Sequence, residues 1–405
     1  MSRFAVVLAA LLAALTLLGG LVSGAQGRGL VTITVDTLPI ANALPLDLGV
    51  KKGFFTAQGI DINKRTLQSG NDIVLALANH NGEVGYFGWV PMMIASTQGI
   101  AISAVAPSEV EGTSVADNWQ NILVKGDSSI RTPADLAGKT IAVNALKGVG
   151  EVMIKAALRK VGVNPNSIHL VPLTFPTMRA ALRNGQVDAI WTPEPFLSQA
   201  LNLDNARIVM APGPVLGKFW PVGGYGALTD WVKSNPALAK KFRTAINQSL
   251  TYAQSHPDEI RALLPAGTGN VRLPIWSPIV DRAKLRQTAQ YAKDFGVITK
   301  LPNMLQLVPR NITGGKTLQG QITTRAIKLL LDGKAIKTLP QGEYTLVVSD
   351  RSKTGSFVLR GPGVLRKTSV KAVRRYTWTL SLAPGKYTYS STGTPRFKKT
   401  FRVLS

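Results

Sequence analysis

Strand-like and helix-like segments alternate along the first quarter of the chain. Residues 31–35 alternate between apolar and polar side chains, which is typical of a half-buried strand, and residues 44–52 have the pattern of a short helix that Gly53 ends. Further strands are predicted at 60–67, 84–87 and 100–105, with helices at 71–78 and 90–97 between them. This alternation predicts a parallel sheet with helices on both faces.

The same alternation begins again at residue 121 and ends near residue 209. The helix predicted at 178–184 is informative, because Asn184-Gly185 is a typical helix end and the strand pattern 188–191 follows closely. A second α/β unit is therefore predicted. Residues 236–253 and 279–295 carry amphipathic helix patterns without strands of their own, which favours packing against the first unit and makes that unit discontinuous.

The last quarter of the chain has a different pattern. Residues 309–317 are polar and contain Gly and Thr, which indicates a linker. Six or seven short alternating segments, separated by Gly and Pro turns, follow between residues 326 and 403. This pattern predicts an all-β sandwich.

The first 25 residues follow the pattern of an export signal. Arg3 supplies the charge, residues 4–18 are apolar, and Ser23-Gly24-Ala25 offers small residues for cleavage. Because the apolar stretch continues to Val22 and nears the roughly 20 residues that span a membrane, an uncleaved anchor stays open beside a cleaved signal. We predict a protein exported to the periplasm or to the outer face of the plasma membrane.

Composition excludes several kinds of chemistry. Cysteine is absent, and the three histidines, His80, His169 and His256, lie far apart. Disulfides and thiolate sites are excluded, and no histidine has a metal-binding spacing such as H-E-x-x-H. We therefore predict no metal and no cofactor.

Positive charge is concentrated in the tail. The formal net charge is +25, and from Gly315 onward the chain has 18 Lys and Arg residues against three Asp and Glu residues. Such a field favours anionic partners, which for an exported protein are membrane headgroups or wall polymers rather than nucleic acid. Solubility alone is the other explanation of this charge.

Six local phrases occur in a characteristic order within residues 31–310. They are Lys52-Gly-Phe-Phe55, Gln68-Ser-Gly-Asn71, Gly88-Trp-Val-Pro91, Asp135-Leu-Ala-Gly-Lys-Thr-Ile-Ala-Val143, Ala181-Leu-Arg-Asn-Gly-Gln-Val-Asp-Ala189 and Trp191-Thr-Pro-Glu-Pro-Phe196. Together they resemble the solute-binding proteins of ABC importers for sulfonates, taurine, nitrate and pyrimidine precursors of thiamine.

The resemblance implies a type 2 periplasmic-binding-protein fold. Its parts would be lobe 1 (30–118 and 224–310), lobe 2 (119–223), a linker (311–322) and the β-sandwich (323–405). A small-molecule ligand would bind between the lobes of a monomer, and an ABC permease would recognise the closed form. Open parallel sheets do present ligands at the carboxyl ends of their strands.

The tail resembles a cupredoxin-like sandwich. The phrases that carry the resemblance are Gly342-Glu-Tyr-Thr-Leu-Val-Val-Ser-Asp350, Gly361-Pro-Gly363, Trp378-Thr-Leu380 and Pro384-Gly-Lys-Tyr-Thr-Tyr389. The positions that would ligate copper hold Gly355 or Val358, Ser391, Thr394 and Phe397, so copper binding is not expected.

The resemblance also indicates ten ligand-binding candidates. They are Asn42, Ser69, Gly70, Asn71, Trp89, Lys147, Glu151, Trp191, Glu194 and Tyr225. Five of them have a structural alternative: Asn42 in a turn, Asn71 as a helix cap, Trp89 in the core, Lys147 in solvent and Glu151 against a helix dipole. Because Glu151 and Glu194 would repel an anion such as sulfonate or nitrate unless they are neutralised, an amine-bearing or heteroaromatic ligand competes with these anions.

Two other functions compete with solute binding. Some relatives of this fold act in thiamine-pyrimidine synthesis, but the chain lacks the cysteines that their pattern uses, so we predict that it is not an enzyme. The basic tail also fits a cell-surface sensor or adhesion module, and this function could coexist with solute binding.

Overall fold

The computed structural model describes residues 29–265, 268–309, 312, 316–331, 333–340, 342–370, 373–394 and 397–404, and the predicted export signal lies outside them. Strands and helices alternate at the start of the described chain. The elements are β1 (Val31–Thr37), α1 (Leu44–Lys51), β2 (Ile60–Thr66), α2 (Gly70–Ala78), β3 (Val84–Gly88), α3 (Trp89–Thr97) and β4 (Ile102–Val110).

A second set of elements follows after residue 119. It consists of β5 (Gln120–Lys125), β6 (Thr140–Val143), α4 (Val149–Lys160), β7 (His169–Pro172), α5 (Phe175–Arg183), β8 (Ala189–Pro193), α6 (Phe196–Leu203), β9 (Ala206–Met210) and α7 (Pro212–Leu216). Its five strands form one sheet in the order β7-β6-β8-β5-β9. This sheet and its helices are lobe 2.

The chain then returns to the first set. The returning elements are β10 (Pro221–Leu228), α8 (Thr229–Ser234), α9 (Pro236–Ser255), α10 (Pro257–Arg261), β11 (Ile275–Trp276), α11 (Arg282–Asp294) and α12 (Met304–Leu307). Strand β10 lies antiparallel between β3 and β4, in a sheet of order β11-β4-β10-β3-β1-β2. Lobe 1 is therefore built from two separate parts of the chain.

The long helix α9 is amphipathic because its apolar residues recur at three- and four-residue steps. Phe242, Ile246 and Leu250 are fully buried against Ile33 and Leu46 of the first part of lobe 1. Complete burial of one such side chain contributes about 1.5–3 kcal/mol. The returning helices thus hold the two parts of lobe 1 together.

In the C-terminal region, which we call the β-domain (residues 316–404), the regular elements of the described residues are all strands. They are β12 (Lys316–Ile322), β13 (Ile327–Leu331), β14 (Lys334–Ala335), β15 (Thr338–Pro340), β16 (Gly342–Asp350), β17 (Phe357–Gly361), β18 (Val364–Lys367), β19 (Arg375–Leu382), β20 (Gly385–Ser391) and β21 (Lys398–Leu404). Two five-stranded sheets, β14-β13-β12-β16-β19 and β15-β21-β20-β17-β18, share one apolar core.

The predicted linker 311–322 is shorter in the structure. Residues 316–322 form β12, which pairs with β13 on one side and with β16 on the other. The linker was predicted from the polar residues 309–317, but Leu318 and Ile322 beyond them are fully buried in the sandwich. The predicted likeness to cupredoxins stays a prediction.

The β-domain packs against the segments where the chain crosses between the lobes. Val347 of β16 shares a small apolar cluster with Val110, Phe219 and Ile275. Two polar contacts join the same surfaces: Arg375 pairs with Asp117 at 3.0 Å, and the hydroxyls of Ser277 and Thr345 are 2.8 Å apart. The β-domain therefore contacts both lobe 1 and the crossing segments.

Candidate functional site

A cleft between the two lobes has about 510 Å³ of space outside the protein atoms, including solvent at its mouth. It lies where the carboxyl ends of β1, β2 and β3 face the corresponding edge of the lobe 2 sheet, as expected for parallel α/β sheets. Its lining is Leu38, Ile40, Asn42, Gly70, Asn71, Tyr86, Gly88, Pro91, Glu109, Trp119, Gln120, Asn144, Ala145, Gly148, Val149, Phe175, Trp191, Pro193 and Val222.

Lobe 2 supplies most of the aromatic wall. Trp191 lies in β8, and its ring is 6.2 Å from that of Phe175 at the start of α5. Gly150 makes room for this indole, since a Cβ on Gly150 would lie 2.7 Å from a Trp191 ring atom. Together with Trp119, these rings suit a planar or apolar ligand.

Lobe 1 supplies a buried carboxyl group. Glu109 of β4 is 2% exposed, and its Oε1 accepts a 2.9 Å hydrogen bond from the Tyr86 hydroxyl. Burial raises the pKa of Glu109 to about 7, while the bond from Tyr86 favours the charged form. The carboxyl group therefore changes its charge near neutral pH.

A second buried carboxyl group lies two residues further along the chain. Burial raises the pKa of Glu111 to about 8, and the charge of Glu109 adds to this effect, while contact with Gln120 opposes it. Glu111 does not line the cleft, although Gln120, which it contacts, does. The two glutamates form an acidic centre beneath the cleft.

Several buried polar atoms around the cleft have no hydrogen-bond partner within the described part of the chain. They are both side-chain amide atoms of Asn42, the indole nitrogen of Trp191 and Oε2 of Glu109. The Asn42 amide lies near Tyr86 and Glu109, but neither contact has hydrogen-bond geometry. A buried polar group without a partner costs about 1–3 kcal/mol, so these atoms are suited to meet a ligand.

The two lobes touch across the cleft. The Asn71 side-chain amide donates to the carbonyl of Leu146 at 3.3 Å, and that of Asn144 donates to the carbonyl of Gln68 at 3.5 Å. Gly88 approaches Val149 so closely that a Cβ would lie 2.1 Å from a methyl carbon. These contacts describe a closed arrangement of the lobes.

Four of the ten predicted ligand-binding residues line the cleft, namely Asn42, Gly70, Asn71 and Trp191. Trp89, predicted as an aromatic wall, lies instead in the core of lobe 1. It is 1% exposed and clusters with Phe87 and Met92, because α3 begins at Trp89 and turns the indole away from the cleft. Tyr225 is also fully buried, 5.3 Å from the ring of Tyr86.

Three of the predicted residues stabilise helix starts rather than lining the cleft. Ser69 caps α2, since its hydroxyl accepts a 3.2 Å bond from the amide of Asp72. Glu151 accepts a 2.8 Å bond from the amide of Lys147 and pairs with Lys155 at 2.7 Å. Lys147 itself is exposed, in a left-handed conformation with φ 52°.

Glu194 connects the lobes but lies outside the cleft lining. Its carboxylate accepts hydrogen bonds from the amide and hydroxyl of Ser198, at 3.0 and 2.7 Å, and from the amide of Arg272 at 2.9 Å. Its backbone carbonyl accepts a bond from Ala41. Burial raises its pKa, and the hydrogen bonds oppose this. The carboxylate is thus occupied by contacts within the protein.

The chain matches the model of the "NMT1/THI5 like" family over residues 41–260. This match covers more than half of the chain. The chain belongs to the NMT1/THI5-like family.

Curated relatives match the same part of the chain. The taurine-binding periplasmic protein of Escherichia coli is 29% identical over 214 residues, which are 51% of this chain and 61% of that protein. The nitrate/nitrite binding protein NrtA of Nostoc is 22% identical over 224 residues, covering 52% of this chain and 51% of NrtA. The chain therefore spans between half and two thirds of these relatives.

Solved structures share the fold. The aliphatic sulphonate binding protein SsuA of E. coli superposes with a TM-score of 0.57 at 20% identity, over 70% of this chain and 98% of SsuA. NrtA of Synechocystis gives a TM-score of 0.58 at 15% identity, over 70% of this chain and 87% of that structure. The predicted two-lobed periplasmic-binding-protein fold is confirmed, and the all-β character of the C-terminal region agrees with its strands.

Sequence reasoning missed cleft residues from β3, β4, the start of β5 and the start of α5. Glu109, Tyr86, Trp119, Gln120 and Phe175 all line the cleft but were not among the candidates. One signal was available, since Glu109 lies near the end of β4 and Glu111 just after it, and buried carboxyl groups are rare.

Two findings concern other kinds of site. Within the described residues, no group of three or more His, Asp or Glu side chains could hold a metal ion. No helix in the same part of the chain is long and apolar enough to cross a membrane.

Proposed function

We propose that this chain is a solute-binding protein that captures a small molecule in the cleft and delivers it to an ABC permease. The observation that carries the proposal is the set of buried polar atoms of Asn42, Glu109 and Trp191 that lack partners among the described residues. A ligand would satisfy these atoms from both lobes at once. Family membership and the printed names of the relatives support the same role.

The preferred ligand class is a planar heteroaromatic compound that carries an amine. None of the described residues that line the cleft is Lys, Arg or His, whereas Glu109 supplies a carboxyl group. Aromatic rings on the lobe 2 side favour a flat ligand, and Glu109 favours a positive charge or an N–H donor. The amides of Asn42 and Gln120 can pair with ring nitrogens and exocyclic groups.

An anionic ligand is the second candidate, because relatives are named for nitrate and for sulphonates. Taurine, for which another relative is named, carries both an ammonium and a sulfonate group and so belongs to both classes. An anion would require Glu109 to be protonated, and the pKa of about 7 makes this accessible at mildly acidic pH. The two classes predict opposite pH dependence. Affinity for an amine should rise as the pH passes upward through 7, and affinity for an anion should fall.

A thermal-shift screen of the full chain tests the proposal. The panel would contain aminopyrimidines and other nitrogen heterocycles, taurine, alkanesulfonates and nitrate, each at pH 6 and pH 8. A ligand at about 100 times its Kd stabilises the folded state by about 2.7 kcal/mol. A saturable shift for a heteroaromatic amine, larger at pH 8, supports the proposal, and a flat panel at both values contradicts it.

The remaining parts of the proposal concern location, partner and chemistry. We propose that the protein is exported, acts as a monomer and performs no reaction. The relatives named as periplasmic support export. The absence of cysteine from the chain, and of histidine from the described cleft lining, supports binding without a nucleophile–base pair.

A further inference from the structure

A second depression, which we call the groove, separates the β-domain from the returning part of lobe 1. It encloses about 1670 Å³, including solvent at its mouth. Lobe 1 contributes α10 and the segment 270–273, and the β-domain contributes the end of β16 and the start of β19. It shares no lining residue with the cleft. The groove is therefore a separate candidate site.

The groove is rich in arginine. Five arginines line it, two from lobe 1 and three from the β-domain: Arg261, Arg272, Arg351, Arg374 and Arg375. The acidic lining residues are Asp117, Asp258 and Asp350. Positive charge therefore exceeds negative charge along the groove.

The three aspartates of the groove either accept hydrogen bonds from residues other than the arginines or pair with an arginine in solvent. Asp350 is 1% exposed, and its carboxylate accepts bonds from Ser352 and Thr368. The Asp258 side chain is 96% exposed, so its 3.2 Å pair with Arg261 is strongly screened by solvent. Asp117 pairs with Arg375 at 3.0 Å but also accepts bonds from the amide and hydroxyl of Thr113. No aspartate neutralises the whole cluster.

Two arginines that line the groove each have a guanidinium nitrogen without an acceptor among the described residues. Nε of Arg261 and Nη1 of Arg272 are buried and lack a hydrogen-bond partner among the described residues. Guanidinium groups present N–H donors in a fork that matches the oxygens of phosphate. These two N–H donors indicate that the lobe 1 side of the groove lacks an acceptor, which an oxyanion could supply.

Two of the three β-domain arginines, Arg374 and Arg375, have side-chain contacts within the protein. The Arg374 guanidinium lies 5.0 Å from the centre of the Tyr376 ring. Burial lowers the pKa of Arg375, and the nearby charge of Arg351 adds to this effect, while Asp117 opposes both. Like charges that lie together in this way are stabilised by a bound anion.

We infer that the groove binds a phosphate group, either as a free anion or as part of a lipid headgroup. This site goes beyond the proposed capture of a solute in the cleft. A phosphate would bridge the β-domain and lobe 1, and it would give the basic tail a defined anionic partner. The guanidinium–phosphate contacts would be the same for both sources. Vesicles that carry the phosphate should retain the protein only if the groove binds a headgroup.

The experiment uses the full chain and two probes. Inorganic phosphate is titrated calorimetrically, and vesicles of phosphatidylcholine, with or without phosphatidylglycerol, are sedimented with the protein. The double variant Arg351→Gln/Arg374→Gln removes two charges from the groove. Its matched control, Lys328→Gln/Arg360→Gln, removes two exposed charges of the β-domain that do not line the groove.

The groove variant should bind phosphate at least about tenfold more weakly, because charge-assisted bonds to two guanidinium groups are lost. The control should bind like the wild type. Saturable phosphate binding without vesicle retention assigns the free anion, and retention on phosphatidylglycerol that phosphate competes away assigns the headgroup. Both results support the inference.

If the protein binds neither inorganic phosphate nor the phosphatidylglycerol vesicles, the inference is overturned. An equal loss in the groove variant and in the control also overturns it, because the attraction would then be general electrostatics. The thermal shift given by a cleft ligand should be unchanged in the groove variant. Failure of the groove site is thus distinguishable from failure of the proposed solute binding.

Discussion

Gly88 and Val149 face each other across the cleft without room for another side-chain carbon. Gly88 ends β3 in lobe 1, and Val149 begins α4 in lobe 2. Gly88 has φ −66° and ψ 157°, which any residue adopts, so alanine is compatible with the backbone. A Cβ at this position would nevertheless lie 2.1 Å from Cγ2 of Val149. We predict that Gly88→Ala hinders closure of the lobes.

The magnitude follows from the geometry. Val149 is β-branched and helical, so its χ1 is stiff and its methyl group cannot turn away freely. Overpacking of this kind costs about 1–3 kcal/mol. If binding requires closure, the Kd should increase by about 5- to 150-fold. The nearest atom outside Val149, the carbonyl oxygen of Val222, is 3.5 Å from the added Cβ, so the unliganded protein, with its lobes apart, should keep its stability.

Two assays separate the effects of Gly88→Ala. Calorimetric titration gives the Kd for a ligand from the thermal-shift screen, and urea unfolding of the unliganded protein gives the free energy of unfolding. Gly88→Ala/Val149→Ala removes the clashing methyl groups and should recover most of the affinity. Unchanged affinity in Gly88→Ala would refute the reasoning. So would a loss of unfolding free energy in the unliganded variant as large as its loss of binding free energy.

Three further predictions concern the acidic centre, the contact between the lobes and the β-domain. Burial raises the pKa of Glu111 from 4.5 in the unfolded chain to about 8 in the folded protein, so the free energy of unfolding declines as the pH rises between these values. Glu111→Gln should flatten this decline from pH 5 to 8, and an unaltered slope would contradict the prediction. Glu194→Ala leaves the amides of Ser198 and Arg272 without their acceptor and should cost about 1–3 kcal/mol in urea unfolding, whereas a change under about 0.5 kcal/mol would contradict the described contacts. Phe357→Ala, in the core of the β-domain, should cost about 3–5 kcal/mol in thermal unfolding and leave the Kd of the cleft ligand unchanged; a parallel loss of affinity would disprove this independence.

Local patterns predicted the elements that alternate regularly. Residues 31–35 read as a strand because polar and apolar side chains alternate there, and the structure has β1 at Val31–Thr37. The discontinuity of lobe 1 was also predictable, because the helices after residue 231 had no strands to pack against. Their apolar faces required a sheet from another part of the chain.

Whether a side chain points to the cleft or to the core depended on residues that are distant in sequence. Trp89 follows a strand end, where a ligand contact is expected, but Gly224 of β10 makes space for its ring in the core: a Cβ there would lie 2.9 Å from the indole. Glu109 lies beyond the strand predicted at 100–105, but in the structure β4 extends to Val110 and borders β10, which brings Glu109 to the cleft. No local pattern contains this information.

The central claim is that the cleft captures a solute and that Glu109 contacts it. Calorimetric titration of the full chain at pH 8 tests this directly, with the best heteroaromatic amine from the screen and three proteins: the wild type, Glu109→Gln and the exposed control Asp230→Asn. We predict one site per chain, an affinity loss of about tenfold or more in Glu109→Gln, as expected when a charge-assisted contact worth about 1.5–3 kcal/mol is removed, and no change in the control. Equal affinity in Glu109→Gln and the wild type, or no saturable binding, would contradict the account.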